Sequence, residues 1–238
     1  MSGEFDNEVV IPVGDLALEG ELTVPVPYAT EGTEGTEDSS SRGVILFAHG
    51  SGSSRLSARN LVMAHAFQEA GFATLLFNLL TREEEVIDAF TRHLRFDIPL
   101  LAERLVAATR WVRKVDRLQG AKLGYFGSST GAGAALIAAA TVGEPVSAIV
   151  SRSGRPDLAS RWLRRVHTPS LFIVGELDFT ISDLTRKAIE EMECPVEMVA
   201  IPGATHLFDE PGALEQAATE ATRWFRKAFA SGQPVVHV

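Results

Sequence analysis

The chain has 238 residues, of which 45% are apolar and 22% are charged, so a wholly disordered protein is excluded and one sizeable α/β domain is expected. Its formal net charge of −9 argues against nucleic acid as a main partner, because contacts with phosphates need clustered Lys and Arg. Cys194 is the single cysteine, which excludes an internal disulfide and a cysteine-based metal site.

The N-terminus and the apolar segments indicate where the protein resides. Residues 1–10 contain three acidic residues and no apolar core, so no signal peptide is predicted. The most apolar segment, residues 131–142, is too short to span a bilayer. We therefore expect a cytoplasmic protein with no membrane partner, folded as a single domain over residues 1–238.

Two strands and a loop are predicted before residue 43. Glu8–Val13 and Leu16–Val24 carry alternating apolar residues and flank Gly14-Asp15, which indicates an antiparallel hairpin at one end of a sheet. Residues 25–41 are rich in Pro, Gly, Thr, Ser and acidic residues. This composition is typical of a mobile, solvated surface loop.

Strands and helices alternate six times after residue 43, with no internal repeat and no linker. This pattern predicts a mostly parallel, doubly wound sheet with helices on both faces. The predicted strands are 43–48, 72–77, 122–126, 145–150, 170–174 and 196–201. The predicted helices are 58–70, an acidic helix from Thr81, 95–114, 131–142, 157–165, one capped by Ser182 or Asp183 and ending at Met192, and 212–230.

The segment Gly127-Ser128-Ser129-Thr130-Gly131 has the pattern G-x-S-x-G and lies between a predicted strand and a predicted helix. A serine at the centre of such a turn is strained, and its hydroxyl is raised above the sheet. Ser129 occupies this central position and is the candidate nucleophile. Ser128, at an x position, is the weaker candidate.

Asp178, His206 and His49 also fall just beyond the ends of predicted strands. Ligands of doubly wound sheets bind at the carboxyl ends of the strands, so we expect these residues to meet Ser129 at one edge. Each residue also has a simpler interpretation. His206 could be an ordinary loop histidine, Asp178 could cap the following helix, and Asp209 could replace Asp178 as the acid beside His206.

The order Ser129, Asp178, His206, with the acid after the seventh strand and the histidine after the eighth, resembles the α/β-hydrolase superfamily over nearly the whole chain. Gly175-Glu-Leu-Asp178 and Gly203-Ala-Thr-His206 resemble its acid and base loops. The short span from Val150 to Ser170 leaves no room for a large lid, which makes the likeness closest to the dienelactone hydrolase-like branch. Dienelactone hydrolases proper use cysteine at the elbow, so Ser129 is a departure that puts the lactone substrate in doubt.

The chemistry of these residue types is that of acyl transfer. A serine hydroxyl needs a base to accept its proton. His206 is the candidate base, because the unperturbed pKa of a histidine lies close to neutral, and Asp178 would orient the imidazole. The anionic oxygen of the intermediate needs backbone donors. We expect the N–H of Thr130 and one from the loop after the third strand, with Ser51 favoured over Gly52 and His49 shaping the loop.

Four further residues are candidate substrate contacts. Arg152 and Arg155 follow the sixth strand and could hold a substrate carboxylate or phosphate, or equally could form surface ion pairs. Leu79 and Phe179 could line the cleft, although such residues more often belong to a core.

These observations together predict a serine hydrolase that cleaves a small carboxylic ester, lactone or thioester through an acyl-serine intermediate. No metal or organic cofactor is implied, and the expected partner is a small-molecule acyl substrate. Two alternatives stay open, because fold does not fix function. One is a non-catalytic ligand-binding or interaction protein, and the other is an acyltransferase that shares the acyl-enzyme. The sequence does not indicate the oligomeric state.

Overall fold

The computed structural model describes residues 7–25 and 43–230. Its strands are β1 (Glu8–Val13), β2 (Leu16–Thr23), β3 (Val44–Ala48), β4 (Ala73–Phe77), β5 (Leu123–Ser128), β6 (Ala148–Arg152), β7 (Ser170–Gly175) and β8 (Val196–Ile201). Together they form one sheet in the order β1-β2-β4-β3-β5-β6-β7-β8. Residues 26–41 of the predicted acidic loop lie outside the described residues.

 The helices are α1 (Ala58–Glu69), α2 (Arg82–Thr91), α3 (Ile98–Val112), α4 (Thr130–Thr141), α5 (Phe179–Ile189) and α6 (Ala213–Ala230), with 3-10 segments at Leu94–Phe96, Asp116–Leu118 and Pro156–Arg165.

The sheet has the predicted arrangement. β1 and β2 form an antiparallel hairpin, β2 is antiparallel to β4, and every other neighbouring pair of strands is parallel. The prediction of a mostly parallel, doubly wound sheet with an N-terminal hairpin is therefore confirmed. Between β6 and β7 there is only the 3-10 segment, so no large lid occurs at that position.

Two of the predicted helix starts were wrong. α3 begins at Ile98 rather than at Arg95, because the Asp97 side chain accepts a hydrogen bond from Leu100 N at 3.1 Å and caps the helix there. α5 begins directly after Asp178, whose carboxylate accepts from Ile181 N at 3.4 Å. Ser182 is buried inside α5 and does not cap it.

Apolar side chains cover both faces of the sheet. α3, α4 and the 156–165 segment pack on one face, and α1 and α6 pack together on the other. On the second face Phe47, Phe67, Phe126 and Phe225 form a cluster with ring centroids 4.9–5.8 Å apart. Phe126 belongs to β5, so this cluster fixes the strand that leads to Ser129.

No helix within residues 7–25 and 43–230 combines the length and the apolar character that a transmembrane span requires.

Candidate active site

Ser129 stands at the junction of β5 and α4 with an unusual backbone conformation. Its φ is 50° and its ψ is −122°, a region that non-glycine residues rarely adopt. Such strain is retained where the surrounding structure enforces it, and it is common at functional sites. The strand-to-helix turn predicted from the sequence is therefore present.

The two glycines of the motif allow the backbones around Ser129 to approach each other closely. A Cβ atom on Gly131 would lie 2.0 Å from the carbonyl oxygen of Ala48, and one on Gly127 would lie 2.5 Å from the Cα of Ala132. Neither position has room for a side chain. β3, β5 and the start of α4 are thereby held together at the serine.

The loop after β3 lies against the nucleophile. A Cβ atom on Gly50 would lie 3.0 Å from the Ser129 Cβ, and the Gly50 carbonyl accepts a hydrogen bond from Ser53 N at 3.0 Å. Ser51 and Gly52 form the tip of this turn. Thr130 is the first residue of α4, and a helix leaves its first N–H groups without intrahelical acceptors.

His49 supports this loop through both of its ring nitrogens. Nε2 accepts a hydrogen bond from Leu79 N at 3.2 Å, and Nδ1 lies 3.1 Å from the Gly50 carbonyl oxygen. A neutral ring with the proton on Nδ1 satisfies both contacts. Burial lowers the pKa of His49, which its hydrogen bond to Gly50 only partly opposes.

His206 and Asp178 are brought together by the loops that follow β8 and β7. Nδ1 of His206 lies 2.6 Å from Oδ2 of Asp178, while Oδ1 of the same carboxylate caps α5. Asp178 thus caps the helix and also contacts the histidine. Within residues 7–25 and 43–230 no hydrogen bond joins Ser129 Oγ to His206.

Asp209, the competing acid, lies elsewhere. Its carboxylate pairs with Arg59 at the start of α1, with 3.2 Å between Nη1 and Oδ1. The carboxylate that accepts the hydrogen bond from the His206 ring is that of Asp178.

A cavity of about 460 Å³ opens beside the loop after β3. Its wall combines serine hydroxyls, leucine side chains and charged groups, and comprises residues 49–54, Ser57, Leu79, Leu80, Glu85, Asp88, Arg95 and Leu101. Gly50, which touches Ser129, belongs to this wall. Ser129, Asp178 and His206 are not among its lining residues.

The charged groups of the cavity wall differ in their partners. Asp88 is fully buried, and its carboxylate accepts hydrogen bonds from Arg95 Nε and Leu94 N. Burial opposes its ionisation, but these hydrogen bonds outweigh burial and the pKa of Asp88 is lowered. Burial, helped by the nearby Glu19 carboxylate, raises the pKa of Glu85.

The remaining candidate contacts are placed in different surroundings. Arg155 forms two hydrogen bonds with Asp157, of 2.8 and 2.7 Å, which matches the ion-pair alternative. Arg152 is buried, with its guanidinium carbon 5.6 Å from the centre of the Phe208 ring. Phe179, the first residue of α5, is 69% exposed.

Ser153 is a residue that the sequence analysis did not single out. Its hydroxyl donates a 2.8 Å hydrogen bond to the main-chain carbonyl of His206. A serine immediately after β6 carries no pattern that indicates this contact, because the partner is distant in sequence. Among residues 7–25 and 43–230 no cluster of three or more His, Cys, Asp or Glu side chains suits a metal ion.

Comparison with protein families gives one match that covers most of the chain. The model of the dienelactone hydrolase family matches residues 31–230. Two proteins of Mycobacterium tuberculosis, provisionally named phosphoribosyl transferases, are 46% identical over 220 residues. That alignment covers 92% of this chain and 46% of each relative, so the chain spans about half the length of the curated relatives it matches.

Solved structures include a similar dienelactone hydrolase from Anabaena variabilis. It is 50% identical to this chain, with a TM-score of 0.83, and the match covers 92% of this chain and 96% of that one. Est1E from Butyrivibrio proteoclasticus, at 14% identity, has a TM-score of 0.75 over 94% of this chain and 99% of its own. A serine hydrolase homologue from Coxiella burnetii, at 20% identity, has a TM-score of 0.70 over 94% and 97%. These likenesses establish the α/β-hydrolase fold.

Proposed function

Because the chain belongs to the dienelactone hydrolase family, we propose that it is a serine hydrolase that cleaves a small carboxylic ester, lactone or thioester. The observation that carries this proposal is the strained Ser129 elbow at the same sheet edge as the His206–Asp178 pair. The family and the fold support a hydrolase, whereas the acyl-serine route is our own inference.

In the proposed reaction Ser129 Oγ attacks the acyl carbon while Nε2 of His206 accepts the hydroxyl proton. The tetrahedral intermediate then breaks its bond to the leaving oxygen or sulfur, which takes the proton from His206. Water attacks the acyl-serine in the same way, with His206 again as base, and releases the carboxylic acid and the free serine. Asp178 holds the imidazole with its proton on Nδ1 throughout.

The negative oxygen of each intermediate needs two donors. Thr130 N–H at the start of α4 is one, and the positive end of the helix dipole favours an anion there. Ser51 N–H is our choice for the second, with Gly52 next, because both lie in the loop that contacts Ser129 through Gly50. Loss of one such donor typically costs about 3–4 kcal/mol of barrier.

The cavity beside the loop after β3 would limit the size of the substrate. A volume of about 460 Å³ suits a small organic acid or alcohol group, and Leu79 and Leu80 offer it apolar contact. Arg152 and Arg155 remain candidates for binding an anionic group of the substrate. In this structure their guanidinium groups contact Phe208 and Asp157, so such binding would require Arg155 to exchange its partner.

The test is covalent labelling with a fluorophosphonate probe, combined with hydrolysis of a panel of small esters and thioesters. The wild-type chain should be labelled and active, Ser129→Ala should be neither, and Ser128→Ala, the adjacent serine, should keep its label. Equal labelling of the wild type and Ser129→Ala would remove Ser129 from its role. Added alcohol that diverts the acyl group from water would favour the acyltransferase alternative.

The non-catalytic alternative has its own signature. It gains if no acyl compound is turned over while a small molecule raises the melting temperature of the protein. The provisional name of the Mycobacterium tuberculosis relatives concerns proteins about twice as long as the matched region, and it does not decide the activity of this chain.

A further inference from the structure

Ser153, directly after β6, contacts the main chain of the candidate base. Its side chain is almost fully buried, and Oγ donates to the His206 carbonyl oxygen at 2.8 Å. We propose that Ser153 is a positioning residue, which holds the His206 loop so that the imidazole reaches Ser129. The proposal rests on the proposed function, because it takes His206 as the general base.

The backbone of Ser153 has an unusual conformation that its neighbours hold in place. Its φ is 44°, in the left-handed region that a non-glycine residue adopts only at a cost. Its N–H donates to the Ile173 carbonyl of β7 at 2.9 Å, so the residue is fixed from both sides. Glycine would fit this conformation without strain. The serine therefore keeps a strained backbone together with a hydroxyl aimed at His206.

The neighbouring residues connect this contact to the nucleophile. The carbonyl oxygen of Arg152 accepts a hydrogen bond from Ser129 N at 3.2 Å. Arg155 N donates to the Ser129 carbonyl at 3.0 Å. One short segment thus binds the main chain of Ser129 through Arg152 and that of His206 through Ser153. A displacement of this segment would change the distance between the nucleophile and its base.

Arg152 gives the same loop a second contact. Its guanidinium group is buried over the ring of Phe208, two residues after His206. No carboxylate within the described residues forms an ion pair with it, and its buried Nε has no hydrogen-bond partner there. The cation–π contact and the attraction of the Asp209 carboxylate oppose the cost of its burial. Because this contact remains when Ser153 is changed, loss of the Ser153 hydroxyl should weaken catalysis without abolishing it.

Ser153→Gly is the variant that separates positioning from folding. It removes the hydroxyl and also relieves the left-handed strain, so two opposite effects on stability nearly cancel. Ser153→Ala removes the hydroxyl and keeps the strain. Ser151→Ala is the matched control, because Ser151 lies two residues earlier, on β6, and its buried hydroxyl has no partner among the described residues.

We expect Ser153→Gly to melt close to the wild type while its kcat falls about 10- to 100-fold and its KM changes little, as for a small misplacement of a catalytic group. The NMR chemical shifts of the His206 ring should differ from those of the wild type, because the main chain that carries the ring has lost its hydrogen bond to Ser153. Ser153→Ala should show the same kinetic loss with a lower melting temperature. Ser151→Ala should match the wild type.

Unchanged kcat and unchanged NMR chemical shifts of the His206 ring in Ser153→Gly would overturn the proposal. If the wild type itself neither hydrolyses esters nor takes up the fluorophosphonate, the proposed function fails instead. The NMR comparison of His206 between the wild type and Ser153→Gly still decides the positioning role in that event, because it needs no turnover.

Discussion

Substitution of Gly131 by alanine tests how closely α4 must approach the loop after β3. The new Cβ would lie 2.0 Å from the Ala48 carbonyl oxygen and 2.6 Å from the His49 carbonyl oxygen. Carbon and oxygen atoms in close contact are normally about 3.3–3.6 Å apart. Either the end of β3 or the start of α4 must therefore retreat by more than about 1 Å.

The expected magnitudes follow from that displacement. Overpacking typically destabilises a protein by about 1–3 kcal/mol. The higher helix propensity of alanine relative to glycine offsets up to about 1 kcal/mol of this loss. A net loss of about 1–2 kcal/mol lowers the melting temperature of a chain of this size by about 2–8 °C. A shift of about 1 Å in the donors for the anionic oxygen should lower kcat by about 100-fold.

The assay compares ester hydrolysis and thermal unfolding of Gly131→Ala with those of Gly133→Ala. The control changes the same residue type in the same helix, but its Cβ would have a nearest contact of 3.1 Å, with the Arg155 carbonyl oxygen. A small adjustment accommodates it, so near wild-type activity is expected. Equal losses in the two variants, or full activity in Gly131→Ala, would refute the close-approach argument.

Three further predictions concern ionisable groups. Asp178→Asn should lower kcat by about 10⁴-fold, because Asp178 binds the His206 ring. The kcat of Asp209→Asn should stay near that of the wild type, because Asp209 pairs with Arg59 instead. Similar losses of kcat in steady-state assays of both variants would contradict this assignment. The pKa of His49 is lowered in the folded state, so the free energy of unfolding should fall as the pH drops below about 6.5. Urea unfolding of the wild type and His49→Gln at several pH values should show that the free energy of unfolding depends less on pH in the variant. The pKa of Asp88 is also lowered, so its stabilising effect should be present at neutral pH and be lost as the pH falls below about 3.9; Asp88→Asn should be destabilised at neutral pH but not in strong acid.

The fold could be predicted from the sequence because its signals are local. Buried strands read as continuous apolar runs, and the elbow combines a strand, a glycine-flanked serine and a helix. The order of strands after residue 43 and the loops of Ser129, Asp178 and His206 followed from these signals. The start of α5 was not predicted correctly, because Ser182 or Asp183 was expected to cap this helix. The Asp178 carboxylate instead caps it with one oxygen and contacts His206 with the other.

The parts that escaped prediction depend on contacts between distant residues. Nothing near Ser153 indicates that its hydroxyl meets His206, which follows a different strand. Side chains of β6 alternate between the two faces of the sheet, and Arg152 lies on the face covered by α1 and α6. Its contact with Phe208 depends on the position of the loop after β8, which is distant in sequence. The ion pair of Arg155 with Asp157, two residues along the chain, was within reach of sequence reasoning.

The position of β5 in the sheet has a consequence for the folding of this protein. Residues 44–48 of β3 pair with residues 123–127 of β5, so the centre of the sheet joins segments separated by about a third of the chain. Closing so long a loop has a large entropic cost and slows folding. The nucleophile and the loop that faces it meet only after this step. During refolding from denaturant, recovery of catalysis should therefore trail the return of helical circular dichroism.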